Sequence, residues 1–533
     1  MKPRHLVLAA LLVALFGAGF LAGRSPATDP SSARNLDTFV EVMNKVEKNY
    51  VDTVPEDQLV DGAIAGMMRR LDPFSQYLDK TDFADLKTLT EGQFGGLGIV
   101  ISIRDNYPTV ISPVEGTPAY SLGIQSGDVI LKIDGQSTRG FSSEDAVRKL
   151  RGPEGTPVTI AISRDGDPPR DVRIVRETIH VKSVPYAFEV APGIGYLRLS
   201  SFSETTGDEV RAAIEKLEKA GATSLVLDLR DNPGGLLNQA VDVVENFVPK
   251  GSLVVFTKGR APGANTKILA ETARAHDERP LVVLVNGGSA SAAEIVAGAI
   301  QDLDRGLVVG TTSFGKGSVQ TLIALHDRNT ALKLTTAKYY TPSGRSIHRD
   351  AWNRLAHDGS DAADEDAFEQ GADTAFGGAL APDSAKRPTF KTRSGRIVYG
   401  GGGITPDQVV RPDTLLPIAR EVERKALYFT FATRYAAAHK GEAPPKAIAP
   451  AMWHDFEGLL SKEKIPFTPA QLAVEHDELE RGMRRELARR MGGVRGDEAA
   501  FKVAIEDDPQ LARALDLLRR AKSPSELVHL TAR

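Results

Sequence analysis

Apolar positions change their spacing repeatedly along the chain, and each change predicts a different kind of structure. From about residue 36 to 90, Phe39, Val42, Met43, Val46 and Tyr50 recur at three- and four-residue steps, and Leu59, Ala63, Met67 and Leu71 repeat the pattern until Asp72-Pro73 stops it. That period predicts amphipathic helices. From Gly92 to about Val181 the runs shorten to "LGIVISI", "PTVISPV", "GDVILKIDG" and "PVTIAISRDG", with "SSEDAVRKL" (142–150) between them. Short strands around one capped helix predict a small, partly open barrel. From about 193 to 340 strands alternate with helices. "SLVLDL" (224–229) is apolar without interruption, as expected of a strand buried on both faces. "PLVVLV", "GLVVG", "SVQTLIAL" and "ALKLTTAKYY" are further strands, whereas "LLNQAVDVVENFV" and "AAEIVAGAI" are helical, so this region predicts an α/β core.

The flanks read differently. Residues 25–35 are polar and rich in Pro and Ser, which predicts a linker. Residues 351–390 are acidic, rich in Ala and Gly and without apolar periodicity, which predicts a flexible insertion. Strand and turn character resumes at 395–407, and 413–533 is helical and charged on one face. At the N-terminus Lys2, Arg4 and His5 precede an apolar run from Leu6 to Ala22, closed by Arg24. This is the pattern of a secretory signal. The run is also at the lower edge of transmembrane length and no clean A-x-A site follows, so an uncleaved anchor formed by residues 6–22 is the alternative. Both predict export to the cell envelope or periplasm, the second with attachment to the inner membrane.

Composition narrows the chemistry. The chain has 533 residues and a net charge of −4, with no global basic field, so nucleic acid is not an expected partner. It has no cysteine, which removes disulfides, thiolate metal sites and cysteine nucleophiles. The ten histidines are scattered. His326 and His348 come nearest the core segments, and neither has an evident carboxylate beside it. No metal-ligand spacing is present, so no metal or cofactor is expected.

Three segments can carry chemistry. In "NGGSASAAE" (286–294) a strand ends and a helix begins at Ala292. A serine there is exposed on a tight turn, at the positive end of a helix dipole and beside free N–H groups. Taken alone, the segment favours a plain N-cap at Ser289 or Ser291 over a nucleophile. In "VVGTTSFGKGSVQ" (308–320), Gly310, Gly315 and Lys316 nearly match a phosphate-binding loop. Gly317 stands where Ser or Thr should bind magnesium, and a strand follows where a helix should, which argues against nucleotide. Lys316 instead suits a base whose pKa is lowered by desolvation, with Phe314 excluding water. Strand alternation puts 316, 318 and 320 on one face, where Gln320 can orient the lysine. In "DLRDNPGG" (228–235), paired glycines let backbone N–H groups approach a bound atom.

Together with "YYTPSGRSI" (339–347), these segments resemble the C-terminal processing peptidases, or tail-specific proteases. "LDPFSQYL" (71–78) resembles that family's N-terminal helical segment. "GLGIVI", "TPAYSLGIQSGDVILKIDG" and "LRGPEGTPV" resemble its PDZ domain. The resemblance covers roughly 36–347 and 395–410. It implies a crotonase/ClpP-like α/β serine protease core with an inserted PDZ domain and helical segments at both ends. The implied divisions are 25–91 (N-terminal helices), 92–181 (PDZ domain), 182–350 with 391–412 (peptidase core) and 413–533 (helical extension). It further implies Ser291 as nucleophile, Lys316 as general base, Gln320 as its support, and oxyanion donors at Ala292 and at Gly234 or Gly235. The loop Gly96-Leu97-Gly98-Ile99 would hold a substrate's C-terminal carboxylate, and Arg151 would couple that domain to the active site. Substrates would be proteins or peptides with accessible C-termini, cut near those ends. The insertion and the helical tail exceed the family's compact pattern and leave a lid, a self-association arm and an adaptor surface open.

Overall fold

The computed structural model describes residues 30–164, 167–272, 277–325, 330–349 and 387–530. The segment 6–22, His326 and nearly all of the 351–390 insertion lie outside the described residues. The chain divides into two compact units, Met1–Tyr77 and Leu78–Arg533. The first holds helices α1 (Pro30–Asn49) and α2 (Glu56–Arg69). Asp72 ends it with a side-chain turn, accepting from the N–H of Phe74 at 2.8 Å and of Ser75 at 2.9 Å.

The second unit opens with helix α3 (Lys80–Glu91), capped by Asp79, so the compact boundary falls earlier than the helical periodicity alone suggests. Then comes the β-rich module. Strand β1 (Gln93–Gly96) pairs antiparallel with β8 (Glu177–His180), so the chain enters and leaves the module side by side. Between them lie β2 (Ile99–Arg104), β3 (Tyr107–Pro113), helix α4 (Pro118–Ser121), β4 (Val129–Ile133), β5 (Gln136–Ser137), helix α5 (Ser143–Leu150), β6 (Pro157–Ser163) and β7 (Arg170–Val175). The sheet runs β2-β3-β4-β6-β7, which leaves β2 as an edge strand. Ser142 and Asp145 close a reciprocal capping box on α5, with Ser142 Oγ accepting from Asp145 N–H at 3.1 Å. Leu97, Val110, Ile130, Leu150, Ile160 and Ile174 fill the module's own core.

The α/β core contains β9 (Tyr186–Ala191), β10 (Ile194–Arg198), α6 (Thr206–Lys219), β11 (Ser224–Asp228), α7 (Leu237–Glu245), β12 (Leu253–Lys258), β13 (Thr266–Leu269), β14 (Leu281–Val285), α8 (Ala292–Asp302), β15 (Leu307–Gly310), β16 (Ser318–Ala324), β17 (Ala331–Tyr340) and β20 (Gln408–Val409), with the hairpin β18 (Thr389–Lys391) and β19 (Ile397–Tyr399) before β20. The main sheet runs β9-β10-β11-β14-β15-β20; β9 is antiparallel at one edge and the rest are parallel. A second, antiparallel layer joins β16, β17, β12 and β13.

Every residue of β11 and β14 is buried, and the period of two divides them between two cores. Leu225, Leu227, Leu281, Val283 and Val285 face α6, α7 and α8. Val226, Val282, Leu284, Leu307, Val309 and Tyr196 face the other way. They are covered by the C-terminal helices α14 (Pro509–Arg520) and α15 (Pro524–His529), through Leu511, Ala514, Leu517, Leu518, Leu527 and Val528. The rest of the extension, α9 (Pro417–Arg424), α10 (Leu427–Ala438), α11 (Pro450–Lys462), α12 (Pro469–Met491) and α13 (Gly496–Ala504), is built largely around a separate core of Phe431, Phe456, Leu479 and Met483. It reaches the β-rich module where the Arg104 guanidinium at the end of β2 lies 3.9 Å from the Phe429 ring centroid.

Candidate active site

Ser291 sits at the junction of β14 and α8, the N-cap position of α8. An ordinary N-cap is extended. Ser291 instead has φ 53 and ψ −113, a left-handed conformation that costs a non-glycine residue about 1–3 kcal/mol. The backbone therefore departs from an ordinary cap, although Ser291 is the N-cap and the N3 residue Glu294 accepts from its N–H as in a capping box. A strained strand-to-helix elbow of this kind is a geometry that can present a serine hydroxyl.

The 228–235 turn packs against this elbow. A Cβ on Gly234 would lie 2.8 Å from Ser291 Cβ and 2.9 Å from Ala292 N, so only glycine fits there, and its φ of 98 demands glycine as well. The two turns are sewn together. Asn286 Oδ1 accepts from Asp231 N–H (2.9 Å), Asn286 Nδ2 donates to Asp231 Oδ1 (2.7 Å), and Ala290 N–H donates to Asn232 O (2.9 Å). Gly234 N–H donates to Asn232 Oδ1 at 2.8 Å. The turn's next N–H is that of Gly235, and Gly235 is held by pairing with Phe202.

Lys316 belongs to the loop before β16; the strand begins at Ser318, and its register shifts between Val319 and Gln320. Strand alternation therefore does not extend back to Lys316. The Gln320 amide donates to Ser318 Oγ at 3.0 Å and to Thr335 Oγ1 at 3.3 Å. Lys316 is half-buried between the buried residues Ser313, Phe314, Gly315 and Gly317. Arg349 fixes the loop by donating from Nε to Phe314 O (2.6 Å) and from Nη2 to Ser313 O (2.8 Å). His348 is buried with its backbone against Gly317, a neighbour that the sequence did not place there.

Two residues that the motif reading left without a role join Ser291 to Lys316. The Glu294 carboxylate is fully buried. It accepts from Ser291 N–H (3.0 Å), Gly315 N–H (2.8 Å), Lys316 N–H (2.9 Å) and Ser313 Oγ (2.5 Å). The Tyr339 hydroxyl shares its proton between Lys316 O (2.6 Å) and Ser291 O (3.1 Å). Burial pushes the Glu294 carboxyl above the ordinary carboxylate range, against the four donors that favour its ionised form. Burial and the neighbouring Glu294 charge push the Tyr339 phenol up as well. A glutamate three residues after an N-cap serine is the sequence signature that could have found Glu294; its burial was not legible. Glu294→Ala removes the acceptor shared by these four donors. It is expected to cost about 3–5 kcal/mol, read as a lower midpoint in chemical denaturation.

Beneath the turn lies a buried ion cluster. Asp228, fully buried, accepts from Tyr196 OH (2.6 Å) and from Arg230 Nη2 (2.6 Å), and pairs with Arg198 Nη1 (3.2 Å). Burial pushes this carboxyl up. The Arg230 guanidinium, Arg198 and the Tyr196 hydroxyl outweigh it, and the pKa lies below the ordinary carboxylate range. A depressed carboxylate contributes stability that is present above the unfolded pKa of about 4 and is lost as pH falls through the folded value. The Asp228→Asn variant should show a flatter dependence of unfolding midpoint on pH below about 4.

In the β-rich module, the Gly96-Leu97-Gly98-Ile99 loop is held by its carbonyls. Ala119 N–H donates to Leu97 O (3.0 Å) and Val114 N–H to Gly98 O (2.8 Å). Arg151 pairs with Asp85 of α3 at 3.0 Å, with its guanidinium 4.5 Å from the Phe94 ring centroid on β1. Among the described residues, no group of His, Asp and Glu has the arrangement of a metal site.

Residues 193–353 match peptidase family S41, residues 109–164 match a PDZ domain, and residues 22–82 match the N-terminal domain of the activating protease CtpB. The carboxy-terminal-processing protease of Bartonella bacilliformis is 47% identical over 325 residues, 60% of this chain and 74% of that protein. The chain belongs to the carboxy-terminal-processing protease family. It is a serine-type peptidase of α/β architecture with a PDZ domain. The carboxy-terminal processing protease CtpA of Bacillus subtilis is 38% identical over 354 residues, 66% of this chain and 75% of that protein. Among solved structures, the photosystem II D1 C-terminal processing protease aligns over 58% of this chain and 89% of that one, at 31% identity and a TM-score of 0.35. Residues 109–164 of the β1–β8 module are thus the part matched to a PDZ domain, and the Ser291 elbow lies within the region matched to the peptidase family.

Proposed function

We propose that this protease uses Ser291 as nucleophile and Lys316 as general base. The observation that carries the reading is the shared clamp. Glu294 and Tyr339 each bind the backbones of both residues, and Gly234 seats the 231–235 turn on Ser291. In acylation, Ser291 Oγ attacks the peptide carbonyl carbon. The neutral Lys316 amine takes the hydroxyl proton and returns it to the leaving amine. The N–H groups of Gly235 and Ala292 face the developing oxyanion. Water then attacks the acyl carbonyl and gives a proton to Lys316, which returns it to Ser291 Oγ as the ester bond breaks and the carboxylic product leaves. Gln320 acts on the lysine through Ser318 and the loop between them.

The PDZ domain supplies the substrate end. Its edge strand β2 accepts an extended C-terminal tail by strand addition, and the 95–99 loop holds the carboxylate. Arg151, paired with Asp85 on α3 and stacked on Phe94 of β1, transmits occupancy of the PDZ domain to the peptidase core. The domain divisions given above and a crotonase/ClpP-like core belong to the same reading, as do exported substrates cut near their C-termini. So do self-association or adaptor binding through the terminal helices.

A fluorophosphonate probe tests the chemistry. It should label Ser291 and no other serine, faster as pH rises and the lysine loses its proton. Mass spectrometry of an unstructured polypeptide should show cuts near its C-terminus, suppressed when that terminus is amidated. Labelling elsewhere, or labelling indifferent to pH between mildly acidic and alkaline conditions, would sink the dyad.

A further inference from the structure

The C-terminal extension reaches the catalytic layer at a charged point. Asp508 caps α14, with Oδ1 accepting from Gln510 N–H (2.9 Å) and Leu511 N–H (3.1 Å). Its other oxygen, Oδ2, accepts from Arg230 Nη1 at 2.5 Å. Gln510 is buried; its Oε1 accepts from the same Nη1 (3.0 Å), and its Nε2 donates to Val410 O (2.8 Å). Arg230 also donates from Nε and Nη2 to Asp228. Nε lies 3.0 Å from both oxygens and Nη2 lies 2.6 Å from Oδ2. One planar guanidinium is therefore gripped from opposite ends, by the tip of β11 and by the cap of α14.

Arg230 leads directly into the turn that carries the glycines. Its own N–H donates to Asp228 Oδ1 (2.9 Å), and Asp231 follows with φ 55. Arg198 bridges the same two aspartates, at 3.2 Å from Asp228 and 3.6 Å from Asp231. Turn 231–235 then meets Ser291 through Gly234. A shift of Arg230 moves the root of a turn that has no slack at its far end. We infer that Asp508, aided by Gln510, is a positioning residue for the reaction: by holding the Arg230 guanidinium it sets the Gly235 N–H against Ser291. The inference rests on the roles proposed above for Ser291 and Gly235. It makes the extension part of the catalytic geometry rather than a lid or an arm alone.

Asp508→Ser in the full-length protein separates the two uses of the carboxylate. Serine still caps α14 but no longer reaches Arg230 with a charge. The expected result is a kcat about tenfold lower with KM unchanged, alongside a lower unfolding midpoint from the broken, largely buried ion pair, since misplacing a stabilising donor acts on the transition state and not on substrate binding. A wild-type kcat in Asp508→Ser overturns the inference. So does a joint change of kcat and KM, which would mark a merely structural contact. Fluorophosphonate labelling of wild type runs alongside. If wild type is not labelled at Ser291, the dyad reading has failed; if it is labelled and Asp508→Ser behaves as wild type, only the positioning role has failed.

Discussion

Replacing Ser291 by alanine is expected to abolish proteolysis and leave the fold in place. In the proposed mechanism the lost hydroxyl is the attacking group and Lys316 is its base, and nothing at the elbow replaces the hydroxyl. Residual turnover from the oxyanion donors alone would fall roughly 10⁴–10⁶-fold below wild type. Alanine inherits the same φ of 53, so the strain of the turn is nearly unchanged and the unfolding midpoint should move little. Lys316→Ala should lose activity on the same scale, because acylation then has no base. Lys316→Arg is the sharper variant. It keeps the charge and most of the length, but a guanidinium stays protonated at any working pH and cannot accept the serine proton. Arginine at 316 should therefore be as inactive as alanine. Steady-state cleavage of an unstructured polypeptide reads all three. A Lys316→Arg protein retaining more than a tenth of wild-type kcat would remove the lysine from the mechanism.

Ending the chain at Asp507 should prevent a stable peptidase core from forming. The main sheet needs cover on both faces, and α14 and α15 supply the second. Leu517 and Leu527 are completely buried there, and Leu511, Leu518 and Val528 nearly so. At roughly 1.5–3 kcal/mol for each buried aliphatic side chain, their loss is on the order of 10 kcal/mol. That matches the whole stability of a typical domain, about 5–15 kcal/mol. The truncation also exposes Val226, Val282, Leu284 and Val309 as one apolar surface. Leu517→Ala, a milder probe of the same interface, should cost about 2–5 kcal/mol in chemical denaturation. A truncated protein that stays soluble, unfolds cooperatively and cleaves at the wild-type rate would contradict this picture.

The burial of "SLVLDL" and "PLVVLV" was legible because an uninterrupted apolar run has no face to offer water. What covers the second face was not. The helices that do so lie more than two hundred residues away in sequence, and their 3.6-residue period says only that one side is apolar. The 413–533 segment thus left a lid, an arm and a surface open, and its last helices pack on the second face of the main sheet. Likewise the motif order placed Ser291 and Lys316 in one family, yet Lys316 precedes its strand and Gln320 bonds Ser318 and Thr335. A register shift at Val319 and Gln320 is invisible to an alternation rule.

By itself, then, the sequence determined many of the elements and their order, and the paired glycines of the 228–235 turn. These follow from interactions between residues a few positions apart: periodicity, capping, and glycine where φ must be positive. The tertiary structure alone decided that Gly234 meets Ser291, that Glu294 and Tyr339 tie Ser291 to Lys316, and that Asp508 grips Arg230 across 278 residues of chain. Such contacts depend on how layers stack. A local pattern records which side of an element is buried, but not which partner buries it.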